Sequence, residues 1–213
     1  MSGEQEQPIL LVVVGPNGSG KSSIFSELLA QYSKINLPFY NSDVVGMTHF
    51  SNIDDYEARS RRSLMWCGRR QREHLSRKES FGFETVGANR GAIRQIERAK
   101  FLSYHIELLF VSTNDPEINI RRVAERERRG GHGVDPELVV KRYYRVMEML
   151  PQYIELATVA TIVDNSPEGE GKARVLLNKN EVDIDVTPAG RVSGWLQKYY
   201  LENEADGIML PAY

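Results

Sequence analysis

Apolar and polar positions alternate between two periods along this chain. Ile9-Leu10-Leu11-Val12-Val13-Val14 is an unbroken β-branched and aliphatic run, the pattern of a strand buried on both faces. Ser22 to Tyr32 then places Ile24, Phe25, Leu28, Leu29 and Tyr32 at helical spacing. Pro38-Phe39-Tyr40-Asn41 predicts a short second strand, and a mostly helical stretch follows over residues 53–78, with Ser51 and Asp54 as capping-type residues. Phe81-Gly82-Phe83-Glu84 predicts a third strand, Ala88 to Lys100 a helix, His105 to Val111 a fourth strand and Val159 to Val163 a fifth. Between the last two strands, one helix runs from Pro116 to Arg129 and stops at Gly130-Gly131. Another starts with Asp135 at its N-cap and Pro136 behind it, and reaches Leu150. The tail predicts a hairpin, Arg174–Asn178 and Glu181–Val186 turning at Lys179-Asn180. A last helix from Thr187-Pro188 would carry Val192, Trp195, Leu196 and Tyr199 on one face.

Five short strands alternating with helices predict an α/β fold in three layers, a parallel sheet covered on both faces. Ligands in such sheets bind at the C-terminal strand ends. Chemistry is therefore expected at residues 15–22, 41–43, 84–85, 112–115 and 164–166. No repeat, low-complexity tract or linker divides the 213 residues, so a single domain is expected.

At 41% hydrophobic and 26% charged, the composition is that of an ordinary globular chain. No apolar run approaches the ~18 residues of a membrane span. The polar start Met1-Ser2-Gly3-Glu4 is unlike a signal peptide, and the lone Cys67 excludes an internal disulfide or a cysteine metal site, so a cytoplasmic home is expected. The net charge of −2 conceals a split. Residues 58–148 hold 20 Lys or Arg against 12 Asp or Glu, whereas the segments on either side are acidic. The overall balance argues against a general nucleic-acid coat, yet the central block suits a local anionic ligand.

Gly15-Pro16-Asn17-Gly18-Ser19-Gly20-Lys21-Ser22 fits G-x-x-x-x-G-K-[ST] in full, between a buried strand and an amphipathic helix. Glycines here let backbone N–H groups turn inward around phosphates, and the helix N-terminus adds partial positive charge. ATP is the expected ligand, cradled by Gly15, Asn17, Gly18, Ser19, Gly20, Lys21, Ser22 and Ser23, with the Ser22 hydroxyl on Mg²⁺. The fourth strand ends in Ser112-Thr113 without the acid that a motor or switch NTPase carries there. A small-molecule kinase needs instead a base near the acceptor hydroxyl and cations around the moving phosphoryl group. Asp43, after the second strand, suits the base or a metal-holding role, against the alternative of a helix N-cap or turn aspartate. Glu84 and Thr85 end the third strand, beside the loop if the strand order is 2-3-1-4-5.

The helix before Gly130 loses its apolar face after Ala124 and becomes Glu-Arg-Glu-Arg-Arg, with Arg122, Arg126 and Arg129 on one side. Residues 116–135 read as a basic lid with a glycine hinge, or as a solvated face of Glu–Arg pairs. Arg142 and Arg145 open the next helix toward the same pocket, and His132 lies in the hinge loop. Residues 58–78 hold eight Lys or Arg against Glu73 alone, an acceptor-side insertion suited to an anionic acceptor or an acidic partner. Cys67, Met65 and Trp66 read as packing residues.

Gly-Pro-Asn-Gly-Ser-Gly-Lys-Ser (15–22), Asp43, Phe-Glu-Thr (83–85), Arg-Val-Ala-Glu-Arg (122–126), Gly-Gly-His-Gly-Val (130–134) and Arg142-Tyr143 together resemble the zeta-toxin family of P-loop kinases, in particular its short bacterial branch. The likeness covers residues 8–166 in order. It implies ATP-dependent phosphorylation of UDP-N-acetylglucosamine at a sugar hydroxyl. By motif, Lys21 and Ser22 would bind ATP and Mg²⁺, Asp43 would be the base, Glu84 and Thr85 would hold the acceptor, and Arg126 and Arg142 would clamp phosphate. A small antitoxin protein is a partner that the resemblance allows. Family loops often read Gly-Gly-His-x-Val-Pro, whereas Asp135 here separates Val134 from Pro136. The competing hypothesis is an ATP-binding module without transfer, docking a protein or nucleic acid through its basic block.

Overall fold

The computed structural model describes residues 7–31, 37–166 and 172–202. Strands β1 (Ile9–Val14), β2 (Phe39–Tyr40), β3 (Phe81–Thr85), β4 (His105–Ser112) and β5 (Val159–Asp164) pair in parallel in the order β2-β3-β1-β4-β5. β1 lies at the centre because it can be buried on both faces: Leu10, Val12, Val13 and Val14 are wholly covered.

Among the described residues the sheet has seven strands, not the five expected. The tail hairpin, β6 (Arg174–Lys179) and β7 (Ile184–Val186), joins it antiparallel to β5. An unpaired β5 edge would leave a row of backbone donors and acceptors open to misassociation, and β6 covers it. Leu176 and Leu177 sink fully into the core as it does so. The turn residue Asn180 accepts from the amides of Val182 and Asp183.

Helices lie on both faces: α1 (Lys21–Gln31), α2 (Ser42–His49), α3 (Tyr56–Arg77), α4 (Arg90–Phe101), α5 (Pro116–Arg128), α6 (Pro136–Glu148) and α7 (Leu150–Leu156). One apolar cluster packs α4, α6, α7 and the tail against one side of the sheet, and a smaller one packs α1 against the other. Asp55, rather than Ser51 or Asp54, caps α3, and α2 was not foreseen. The single tail helix is instead a short α8 (Pro188–Arg191), α9 (Gly194–Leu196) and a π-helical turn (Gln197–Leu201). Ser193 accepts from the Leu196 amide and restarts the helix, and Val192 is 79% exposed instead of sharing a face with the buried Trp195 and Leu196. Tyr32, assigned to the first helix, lies outside the described residues. No helix among the described residues is long and apolar enough to cross a membrane.

Candidate active site

The loop between β1 and α1 turns through Gly15 (φ +153°), Gly18 (φ +75°) and Gly20 (φ +84°), backbone conformations that side chains resist. At Gly18 a Cβ would also lie 2.5 Å from the Asn119 carbonyl oxygen, so the close approach demands glycine. Three asparagines brace the loop. Asn119, wholly buried in α5, donates to the Asn17 carbonyl at 2.6 Å and accepts from the Thr113 hydroxyl. Asn165, past β5, donates to the Ser19 carbonyl at 2.8 Å, and its own carbonyl accepts from Arg122 at 2.8 Å. The Asn17 side chain accepts from Arg142 of α6 at 3.2 Å. The Ser19 hydroxyl is buried and has no hydrogen-bond partner among the described residues.

Lys21 is buried and donates to the Pro16 carbonyl at 3.0 Å. Burial lowers the ammonium's pKa below the ordinary lysine value; the carboxylates of Glu84 and Asp43 act against that, and Arg126 adds to it. Residues far apart in sequence, Asp43, Glu84 and Arg126, are thus close enough for their charges to act on Lys21. Beside it, the Ser22 hydroxyl lies 3.0 Å from both Glu84 oxygens, and Asn41 donates to Glu84 Oε2 at 3.0 Å.

Asp43 sits in the first turn of α2, but Asn41 is the cap, its Oδ1 accepting from the amides of Asp43 and Val44. The Asp43 carboxylate is therefore exposed and not consumed by capping. Thr85 Oγ1 accepts from the Gly87 amide at 3.1 Å, so that hydroxyl serves a turn as well as facing the strand end. Ser23 is exposed on α1. Arg122, Glu125, Arg126, Arg129 and Gly131 line a cleft of about 390 Å³ on α5. Glu125 pairs with Arg128 and Arg129, so part of the basic run is neutralised within the helix. Arg126 donates to the His132 carbonyl at 2.8 Å.

Ser22 and Glu84 offer oxygen donors of the hard type that suits Mg²⁺. Among the described residues no group of three or more His, Cys, Asp or Glu could hold a metal alone, so further ligands would come from phosphate and water. Cys67 is packing: it is 5% exposed, and burial pushes its thiol up to about 11.

A chain of the AvrRxo1-ORF1:-ORF2 crystal structure with ATP superimposes with a TM-score of 0.68 at 16% identity, covering 89% of this chain. The fold is that of the P-loop kinases. This chain spans only 64% of that relative's length. A chain of the PezAT chromosomal toxin–antitoxin system of Streptococcus pneumoniae matches with a TM-score of 0.59 at 13% identity, over 92% of this chain and 80% of the other. A candidate kinase from Chloroflexus aurantiacus matches at 0.50 and 17% identity, over 63% and 78%. No protein-family profile matches the sequence, and no curated protein resembles it in sequence.

Asn41, Asn119, Asn165 and Asp164 belong to the site's frame and were missed as individuals. Asp164 is 2% exposed, accepts from the Ser166 hydroxyl and pairs with Arg174 at 2.6 Å. The signal for three of the four was positional, because Asn41, Asp164 and Asn165 lie at the ends of β2 and β5, where a parallel sheet collects its chemistry.

Proposed function

We propose that the chain is an ATP-dependent small-molecule kinase of the zeta-toxin type. It would transfer the γ-phosphoryl group to a hydroxyl of UDP-N-acetylglucosamine or a similar anionic nucleotide sugar. The glycine-turned loop with Lys21 buried in it and the Ser22 hydroxyl 3.0 Å from the Glu84 carboxylate carries this reading, and the charges of Glu84, Asp43 and Arg126 all bear on Lys21. In it, the loop amides and Lys21 hold the β- and γ-phosphates, and Lys21 leaves the Pro16 carbonyl for phosphate oxygen. The Ser22 hydroxyl and the Glu84 carboxylate would hold Mg²⁺, which would neutralise phosphate charge when bound. Asp43 takes the acceptor's proton as its oxygen attacks the γ-phosphorus in line; the bond to the β–γ bridging oxygen breaks and ADP leaves. Arg126 and Arg142 bear on the charge that spreads over the equatorial oxygens. Glu84 and Thr85 face the acceptor.

The cytoplasm and a small antitoxin partner belong to the same proposal. The AvrRxo1 structure holds ATP and the second protein of its pair, and the Streptococcus protein comes from a toxin–antitoxin system. Incubation with ATP, Mg²⁺ and UDP-N-acetylglucosamine should give a product one phosphoryl group heavier. Asp43→Ala should abolish it and leave ATP binding in place. ATP binding with no transfer to any hydroxyl acceptor would favour the docking module instead, through the exposed Arg62 and Arg72 of α3.

A further inference from the structure

Tyr56 opens α3 and is 39% exposed. Its centroid lies 4.2 Å from that of His132, with 36° between the planes. The Arg59 guanidinium carbon is 5.9 Å from the same ring. His132 stands in Gly130-Gly131-His132-Gly133, a loop whose neighbouring residues lack side chains with which to anchor it. Among the described residues its backbone amides are tied toward α5, the Gly130 amide to Glu127 and the Gly131 amide to Arg126, each at 2.9 Å. The His132 carbonyl in turn holds Arg126, and Arg126 acts electrostatically on Lys21. Contacts thus run from Tyr56 of the acceptor-side helix through His132 of the glycine loop to Arg126 of α5, whose charge is felt at Lys21.

We infer that Tyr56 is a positioning residue: by seating the His132 ring it fixes the glycine loop and, through the His132 carbonyl, the Arg126 guanidinium. The consequence for turnover rests on the kinase reading above; the seating itself does not. The ring, not the phenol, does the work, since the Tyr56 hydroxyl makes no hydrogen bond among the described residues. A pair of this kind shifts a local equilibrium by up to about tenfold.

Amide exchange on the nucleotide-free full chain, followed by mass spectrometry over residues 127–134, tests the seating. Tyr56→Ala should speed exchange in that segment by about tenfold with the urea midpoint little changed, and Tyr56→Phe should restore the native rate. Exchange within about twofold of the native protein in Tyr56→Ala, or no restoration by Phe, overturns the inference. In turnover assays Tyr56→Ala should lower kcat by about tenfold with KM for ATP nearly constant, and should add nothing to Arg126→Ala. Additive losses would also overturn it. A native protein that transfers no phosphoryl group sinks the kinase reading and leaves the exchange experiment to decide the role of Tyr56.

Discussion

Asn119→Ala is the sharpest stability test of the frame around the phosphate loop. The side chain is wholly buried and uses both ends, one toward Asn17 and one toward Thr113. Truncation leaves the Asn17 carbonyl without its side-chain donor and the Thr113 hydroxyl without this acceptor. The hydroxyl keeps a second option in the Asp115 carbonyl at 3.1 Å, so its loss is the smaller one. Each buried group left unsatisfied costs about 1–3 kcal/mol, and the Thr113 share falls at the low end, giving about 2–4 kcal/mol in total. For a chain of this size that corresponds to a fall of roughly 4–16 °C in Tm. Urea unfolding of native and variant protein, with the m-value checked for constancy, measures the difference. ATP affinity should fall in parallel, because the loop loses a strut. Asn114→Ala, at the exposed neighbouring position, should be close to neutral. A cost below about 1 kcal/mol for Asn119→Ala would show that water or a shifted backbone replaces the amide, and the bracing account would fail.

Lys21→Met should end phosphoryl transfer and yet stabilise the nucleotide-free protein, since it removes a charge that burial penalises. With the folded-state pKa lowered, the unfolded chain holds more protons on Lys21 just below pH 10.5, so native stability should rise with pH there; Lys21→Met should lack that rise in urea titrations at alkaline pH. Asn41→Ala should cost about 1 kcal/mol through loss of the α2 cap and should weaken acceptor turnover more than ATP binding, which separate KM values would reveal. Gly18→Ala should abolish nucleotide binding, because its methyl group would meet the Asn119 backbone and the residue holds φ +75°; retention of binding by calorimetry would contradict that geometry.

The central sheet was legible because its strands are short apolar runs between turn signals, and its five parallel strands take the 2-3-1-4-5 order that was supposed for them. The hairpin's strands were also visible, but their partner was not. Nothing local in Arg174–Lys179 says that it will lie beside Val159–Asp164, since edge pairing depends on where the chain returns. α2 escaped notice because Gly46 and Thr48 break its periodicity; Gly46 is there for close packing on Ser63 and Arg59. In the site, Lys21, Ser22 and Glu84 could be read from motif and strand end. Asn119 could not, because a mid-helix asparagine carries no spacing signature and its value comes only from the loop it meets. Tyr56 likewise looked like an ordinary residue early in a helix. Its role comes from His132, which tertiary folding brings to it.

The asparagine struts have a consequence for how the protein opens. The phosphate loop is fastened to α5, α6 and the end of β5 by side chains, through Asn119, Arg142 and Asn165. Those elements therefore cannot fray independently of the loop: sub-global unfolding of any one releases a fastening of the others. Loop, α5, α6 and the β5 terminus should behave as one cooperative foldon, with a shared opening free energy and a shared response to bound nucleotide.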